Sequence, residues 1–275
     1  MSATIDLDAY FERVGHRHGS APTLETLQQL IARHTETIPF ESLSPFLGEE
    51  VTLDIASLED KLVRRNRGGY CFEHNVFFWR VLRQLGFEVT GLGGRVRWDW
   101  PAEVVTPRGH MLLLVTLESG RYLVDVGFGR ITLTAALRFE PGVEQQTSHE
   151  PFRVARTDAE GSYALEAKVP GGWKALYTFD LVKQHLADYE VWNWYFAAHP
   201  RSPFVTGLVL ARPAPGCRHA MRDNKYSLHH MNGETQRRAI GSVEQLKETL
   251  QTAFRIRLPD APALDARLRR LIEAR

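Results

Sequence analysis

The run Arg67-Gly68-Gly69-Tyr70-Cys71-Phe72-Glu73-His74-Asn75 constrains this chain more than any other, because it sets a glycine pair against the first turn of an apolar helical pattern. Phe72, Val76, Trp79, Val81, Leu82 and Leu85 recur at spacings that place most of them on one helix face, and Gly86 stops the pattern. Cys71 therefore belongs to the start of a helix. Unpaired backbone N–H groups there carry partial positive charge, which is expected to favour the thiolate, the form that attacks a carbonyl carbon. Taken alone, a free cysteine is as readily a small buried hydrophobe. The glycines and the helix start tilt the reading towards a nucleophile.

A nucleophilic thiol needs a base, and a base needs a group to orient it. Downstream, His110 opens the apolar run His110-Met111-Leu112-Leu113-Leu114-Val115-Thr116-Leu117, short and bounded by Ser119-Gly120, which reads as a buried strand. Arg121-Tyr122-Leu123-Val124-Asp125-Val126 reads as its hairpin partner across the Ser-Gly connection. Asp125, set between valines, is costly to bury without a partner, and His110 is the partner within reach. A lone histidine at a strand start is more often structural than catalytic. Cys71, His110 and Asp125 together have the composition of a nucleophilic triad.

Along the chain the pattern changes twice. Residues 1–85 are helical in character: Leu24 to Arg33 has helical apolar spacing, and Ser57 with Asp60 resembles a capping box. Residues 86–195 break into short runs separated by turns, at Phe87 to Trp98, Met111 to Leu117, Tyr122 to Val126, Phe152 to Arg156, Tyr163 to Val169 and Trp173 to Phe179, which predicts an antiparallel β-barrel or sheet. Residues 196–275 read as α/β: strands at Phe204 to Leu210, Tyr226 to His229 and Arg237 to Ile240, a loop at Pro213-Ala214-Pro215-Gly216, and a helix from Ser242. The fold class is α+β.

A formal charge of +1 gives no electrostatic footprint for nucleic acid, and 43% hydrophobic with 24% charged residues is ordinary for a soluble chain. With two cysteines and no apolar leader, a disulfide framework and secretion are not expected, so the expected location is cytoplasmic. No run reaches the length of a membrane span. Cys217 has no triad partners nearby and reads as incidental. His229 and His230 point to opposite strand faces, and Cys71-x-x-His74 lacks a second pair, so no metal site is expected.

Three motifs in order, Arg-Gly-Gly-Tyr-Cys-Phe-Glu at 67–73, Gly-His-Met-Leu-Leu at 109–113 and Val-Asp-Val-Gly-Phe-Gly at 124–129, make the chain resemble the arylamine N-acetyltransferases of bacterial type. Ile5 to Phe11, Ile38-Pro39-Phe40-Glu41-Ser42-Leu43 and Ser202-Pro203-Phe204 extend the resemblance over nearly the whole length. Ser42 stands where the family usually has asparagine. The resemblance implies a cysteine-protease-like Cys-His-Asp core with a C-terminal α/β lid. It implies ping-pong transfer of an acetyl group from acetyl-CoA, a co-substrate rather than a tightly bound cofactor, through acetyl-Cys71 to an arylamine, arylhydroxylamine or hydrazine nitrogen.

By the same resemblance Thr106, Pro107, Tyr195 and Arg201 correspond to CoA-contact positions, and Phe40, Tyr70, Phe128 and Phe204 fall in the amine-pocket segments. Gly127-Phe128-Gly129 is a weak signal by itself, although two glycines let a ligand approach backbone N–H groups. Other readings use the same groups. An amide synthase would act on carrier-bound polyketide chains, a transglutaminase-like or papain-like hydrolase would cleave amides without CoA, and a non-catalytic module would only hold acyl-CoA. The oligomeric state is open.

Overall fold

A computed structural model describes residues 4–17, 19–101, 103–157 and 160–273. The first elements are helices α1 (Leu7–Val14) and α2 (Leu24–Thr37), a short strand β1 (Phe40–Glu41), and helices α3 (Leu43–Leu47) and α4 (Ile55–Glu59). Helix α4 runs on through a π-helical turn, Asp60–Arg64, to a loop and then α5 (Cys71–Gln84). Side-chain oxygens close the helix starts: Asp6 accepts from Ala9 N and Thr23 from Thr26 N. The cap of α4 is Asp54, which accepts from Ser57 N, so Ser57 is the receiver and not the capping residue that its spacing to Asp60 suggested.

The one-face pattern of α5 understates its burial. Eleven of its 14 residues are buried, polar Glu73, His74 and Asn75 among them, because the β-sheet, α4 and α6 enclose it.

Seven strands form one antiparallel sheet: β2 (Glu88–Val96), β3 (Arg108–Leu117), β4 (Gly120–Val124), β5 (Leu137–Arg138), β6 (Phe152–Arg156), β7 (Ser162–Val169) and β8 (Gly172–Asp180). Their order is β5-β4-β3-β2-β8-β7-β6, so β2 joins two meanders through Gly94 opposite Phe179. The sheet is barrel-like, as the short alternating runs anticipate, and Leu92, Leu112, Leu123, Phe152, Leu165 and Tyr177 pack together as one core on it.

After it come α6 (Leu186–Ala198) and α7 (Pro203–Thr206), then β9 (Val209–Ala214), β10 (Cys217–Arg222), β11 (Lys225–His230), β12 (Thr235–Ala239), α8 (Val243–Thr252) and α9 (Leu264–Glu273). The five-stranded sheet has the order β1-β9-β10-β11-β12, so a strand from the helical start of the chain is its edge. Ser42, where the family usually has asparagine, closes that edge: its hydroxyl accepts from Val209 N at 3.0 Å and its own N–H donates to Val209 O at 3.1 Å.

Two expectations for this region change. Phe204 to Leu210 is not one strand, because Ser202 caps a helical turn with Pro203 at its first position, and pairing starts at Val209. Pro213 and Ala214 belong to β9, and only Pro215-Gly216 turns. Pro213 is tolerated because β1 pairs only as far as Ala211, leaving the proline beyond it on an edge. Among the described residues no helix is long and apolar enough to cross a membrane.

Candidate functional site

Cys71 is the first residue of α5, and the loop before it is held by close backbone packing. A Cβ on Gly68 would lie 1.9 Å from Pro39 O, so only glycine fits there. Glu73 reaches back to accept from Tyr70 N at 3.1 Å, and Lys61 neutralises that carboxylate at 2.6 Å. The position of Cys71 is thus set mainly by main chain, with a buried ion pair beside it.

Across from it, β3 carries His110, and Asp125 follows the last residue of β4. His110 Nε2 lies 2.6 Å from Asp125 Oδ2, with His110 2% exposed and Asp125 fully buried. The other carboxylate oxygen, Oδ1, accepts from Asn75 Nδ2 and from Gly127 N, each at 3.0 Å. Asn75 also donates to Met111 O and accepts from Val126 N. Burial alone would raise the Asp125 pKa, but His110, Asn75 and the Gly127 N–H together hold it below the usual carboxylate value. With Nε2 committed to Asp125, Nδ1 is the ring nitrogen left to take a proton. The imidazole is packed between Tyr177, at 4.7 Å between ring centroids, and Phe128, edge-on at 5.2 Å.

The thiol does not behave as the helix start alone suggests. Burial pushes the Cys71 pKa up and the nearby Asp125 charge adds to the rise, while the Met111 and Phe72 N–H groups pull it down without winning. Its Sγ contacts Gly109 O at 4.0 Å, the residue before His110. Desolvation of a full negative charge outweighs the partial charge of one helix terminus, so an isolated thiolate is disfavoured. A thiolate here needs proton transfer to a neighbouring base.

Cys71, His110, Gly127, Phe128 and Gly129 line one cavity of about 610 Å³. Thr106, Pro107, Tyr195 and Arg201 line it too, as do Phe40 and Phe204. Tyr70 does not. It is fully buried, edge-on to Phe204 at 5.2 Å, with its hydroxyl donating to the Asn193 side chain. The Gly127-Phe128-Gly129 segment also differs from the expected ligand cradle: Gly127 N is spent on Asp125 and Phe128 N on the Thr132 hydroxyl at 3.3 Å. Gly127 is needed for a different reason, since a Cβ there would stand 2.9 Å from both Asn75 Nδ2 and Cys71 Cα.

Sequence reasoning missed Asn75 and Tyr177. The first had a usable signal, its place four residues after Cys71 on the same helix face. The second had none, lying on β8, far from either motif. It also missed cavity-lining Trp98, Trp100, Arg130, Arg222 and Lys225. Among the described residues no group of three or more His, Cys, Asp or Glu side chains is placed to hold a metal ion.

Comparison with known proteins places the chain in a family. An N-acetyltransferase family model matches residues 23–263. The arylamine N-acetyltransferase of Mycolicibacterium smegmatis is 41% identical over 269 residues, 96% of this chain and 97% of that one. That of Escherichia coli K12 is 38% identical over 93% of this chain and 90% of its own length. Among solved structures, the Mycobacterium marinum arylamine N-acetyltransferase in complex with CoA superposes with a TM-score of 0.92 at 38% identity, covering 97% of this chain and 99% of that one.

Proposed function

The chain belongs to the arylamine N-acetyltransferase family, and from that premise we propose that it transfers an acetyl group from acetyl-CoA to an arylamine, arylhydroxylamine or hydrazine nitrogen by a ping-pong route through acetyl-Cys71. The observation that carries this reading is a cavity holding a helix-start thiol together with an imidazole bonded at 2.6 Å to a fully buried carboxylate.

In the first half-reaction His110 Nδ1 takes the thiol proton as Sγ attacks the thioester carbonyl. The Met111 and Phe72 N–H groups stabilise the sulfur's charge, and Asp125 stabilises the imidazolium without itself being protonated. The carbon–sulfur bond to CoA breaks, and CoA leaves as a thiol with the proton from His110. In the second half an amine nitrogen attacks acetyl-Cys71, His110 takes the nitrogen's proton, and Cys71 is released to be reprotonated. Proton transfer from thiol to imidazole is how a thiol raised by burial still serves as nucleophile.

The cavity is chemically suited to both substrates. Phe40, Phe128 and Phe204 offer apolar faces to an aryl ring, and Arg130, Arg201, Arg222 and Lys225 offer cations to the phosphates of CoA. The test is intact mass after mixing with acetyl-CoA alone and again after adding an aminobenzoate or a hydrazine. A single acetyl adduct, absent in Cys71→Ala and discharged by the amine, is expected. An adduct that no small amine removes would replace this reading with a carrier-bound acceptor, and no adduct would end it.

A further inference from the structure

The cavity has two walls from distant parts of the chain. One is the strip Phe128-Gly129-Arg130 after β4, and the other is the β10–β11 hairpin, through Ala220, Met221, Ser227 and His229. A buried clamp joins them from behind. Arg218 on β10 is 2% exposed, and its Nε and Nη2 donate to the Glu150 carboxylate at 2.6 to 3.0 Å. Nη2 also donates to Thr132 O at 3.1 Å. The Thr132 hydroxyl donates to Asp125 O at 3.0 Å and accepts from Phe128 N, so the clamp reaches the base of the cavity strip. Beside it, His149 Nε2 lies 3.1 Å from Ala214 O and 3.3 Å from Cys217 O; both are acceptors only, so this nitrogen carries the proton and grips the β9–β10 turn.

Arg218, Glu150, Thr132 and His149 are not among the residues that line the cavity. We propose that Arg218 is a positioning residue: held to Glu150 and Thr132, it sets the gap between the Phe128–Arg130 strip and the β10–β11 hairpin, and through that gap the affinity for the acyl donor. The proposal rests on the cavity being the acetyl-CoA site. A planar guanidinium that bonds a carboxylate with two nitrogens and a carbonyl with one fixes orientation as well as distance, which an ammonium cannot do. Because Arg218 meets no reacting atom, its loss is felt in donor binding, while chemistry on bound donor proceeds.

Wild-type protein is first mixed with acetyl-CoA and its mass measured; absence of an acetyl adduct would remove the acetyl-CoA reading itself, and the clamp with it. With the adduct seen, single-turnover acetylation is followed against acetyl-CoA concentration in Arg218→Lys and in the double variant Arg218→Met/Glu150→Met, which leaves no unpaired buried charge. The half-saturating concentration is expected to rise about five-fold or more, with the maximal rate within about two-fold of wild type. Half-saturation unchanged in the variants, with or without a lower melting temperature, would show that the clamp only holds the fold. A fall in maximal rate without a rise in half-saturation would place its effect on Asp125 through Thr132 and overturn the proposal equally.

Discussion

Two buried ionic groups flank the first turn of α5, and they differ in one respect that matters. On one side Lys61 meets Glu73 at 2.6 Å and Arg67 meets Glu41 at 2.8 Å. On the other His110 meets Asp125 at 2.6 Å. Both groups are almost wholly removed from solvent, and in both the carboxylates also accept backbone N–H bonds, Tyr70 to Glu73, Leu43 to Glu41 and Gly127 to Asp125. In the first, however, the partners are an ammonium and a guanidinium, and neither carboxylate lines the cavity of the site. In the second the partner is an imidazole, a ring that can serve as a general base, and it forms part of the cavity wall. Buried charge is common to a scaffold and a site; a titratable partner with an opening beside it distinguishes the site.

The largest expected effect tests the second group. In Asp125→Asn, Oδ1 has two donors that pin it, Asn75 Nδ2 and Gly127 N, so the new amide nitrogen takes the place of Oδ2 and faces His110 Nε2. That nitrogen then accepts, the ring proton moves to Nδ1, and the thiol has no base. By comparison with other triads, acetylation should slow by about 10⁴-fold with the fold intact. A rate within ten-fold of wild type would make Asp125 a structural carboxylate and erase the difference between the two groups. The complementary change, Lys61→Met, leaves Glu73 buried without its cation and should cost on the order of 3–5 kcal/mol in urea unfolding. Acetylation per folded molecule should stay within a few-fold, because the Tyr70 N–H bond to Glu73 and the packing of Gly68 against Pro39 still seat Cys71. A rate loss as large as that of Asp125→Asn would break the comparison from the other side.

What could be read from residues alone follows the same division. The three motifs were local: a glycine pair before a helix, a histidine on an apolar strand, and an aspartate between valines, each legible because its neighbours specify one element. The groups that complete the site were not local. Asn75 binds Asp125 across 50 positions, and Arg218 binds Glu150 across 68. No periodicity encodes such pairings. Strands β1, β5 and β10 and helices α6 and α9 were missed as elements, the two-residue β1 and β5 being too short to show a period. Helix α6 hid because it is apolar on several sides, Leu186, Val191, Trp192, Trp194 and Phe196 falling on no single stripe. The helix terminus behind the thiolate expectation is visible in a sequence, whereas the desolvation that opposes it is not.

The smallest expected effect concerns buried imidazoles that bond no carboxylate and line no part of that cavity. His74, one turn after Cys71, has Nε2 3.1 Å from Pro39 O, a carbonyl that can only accept, so this nitrogen carries the proton. Its Nδ1 must then accept from His34 Nε2 at 2.9 Å, and His34 Nδ1 in turn accepts from the Tyr10 hydroxyl at 3.1 Å. Every proton in this chain is committed, and none can be added without breaking a bond. Burial pushes the His74 pKa down to about 4, and burial with the neighbouring His74 pushes that of His34 well below its usual value. Both rings are therefore neutral when folded, while the unfolded chain takes up protons near pH 6.5. The stabilisation is complete above that pH and is lost progressively as pH falls towards about 4, by roughly 1 kcal/mol per ring between pH 7 and 5.5. His219, also lowered to about 4 by burial, adds to the same trend. The contribution of the pair is therefore measured as a difference: urea unfolding of His34→Gln/His74→Gln should show a shallower pH dependence than wild type. Equal slopes would mean that these rings keep their solution pKa values and that burial alone does not hold an imidazole neutral here.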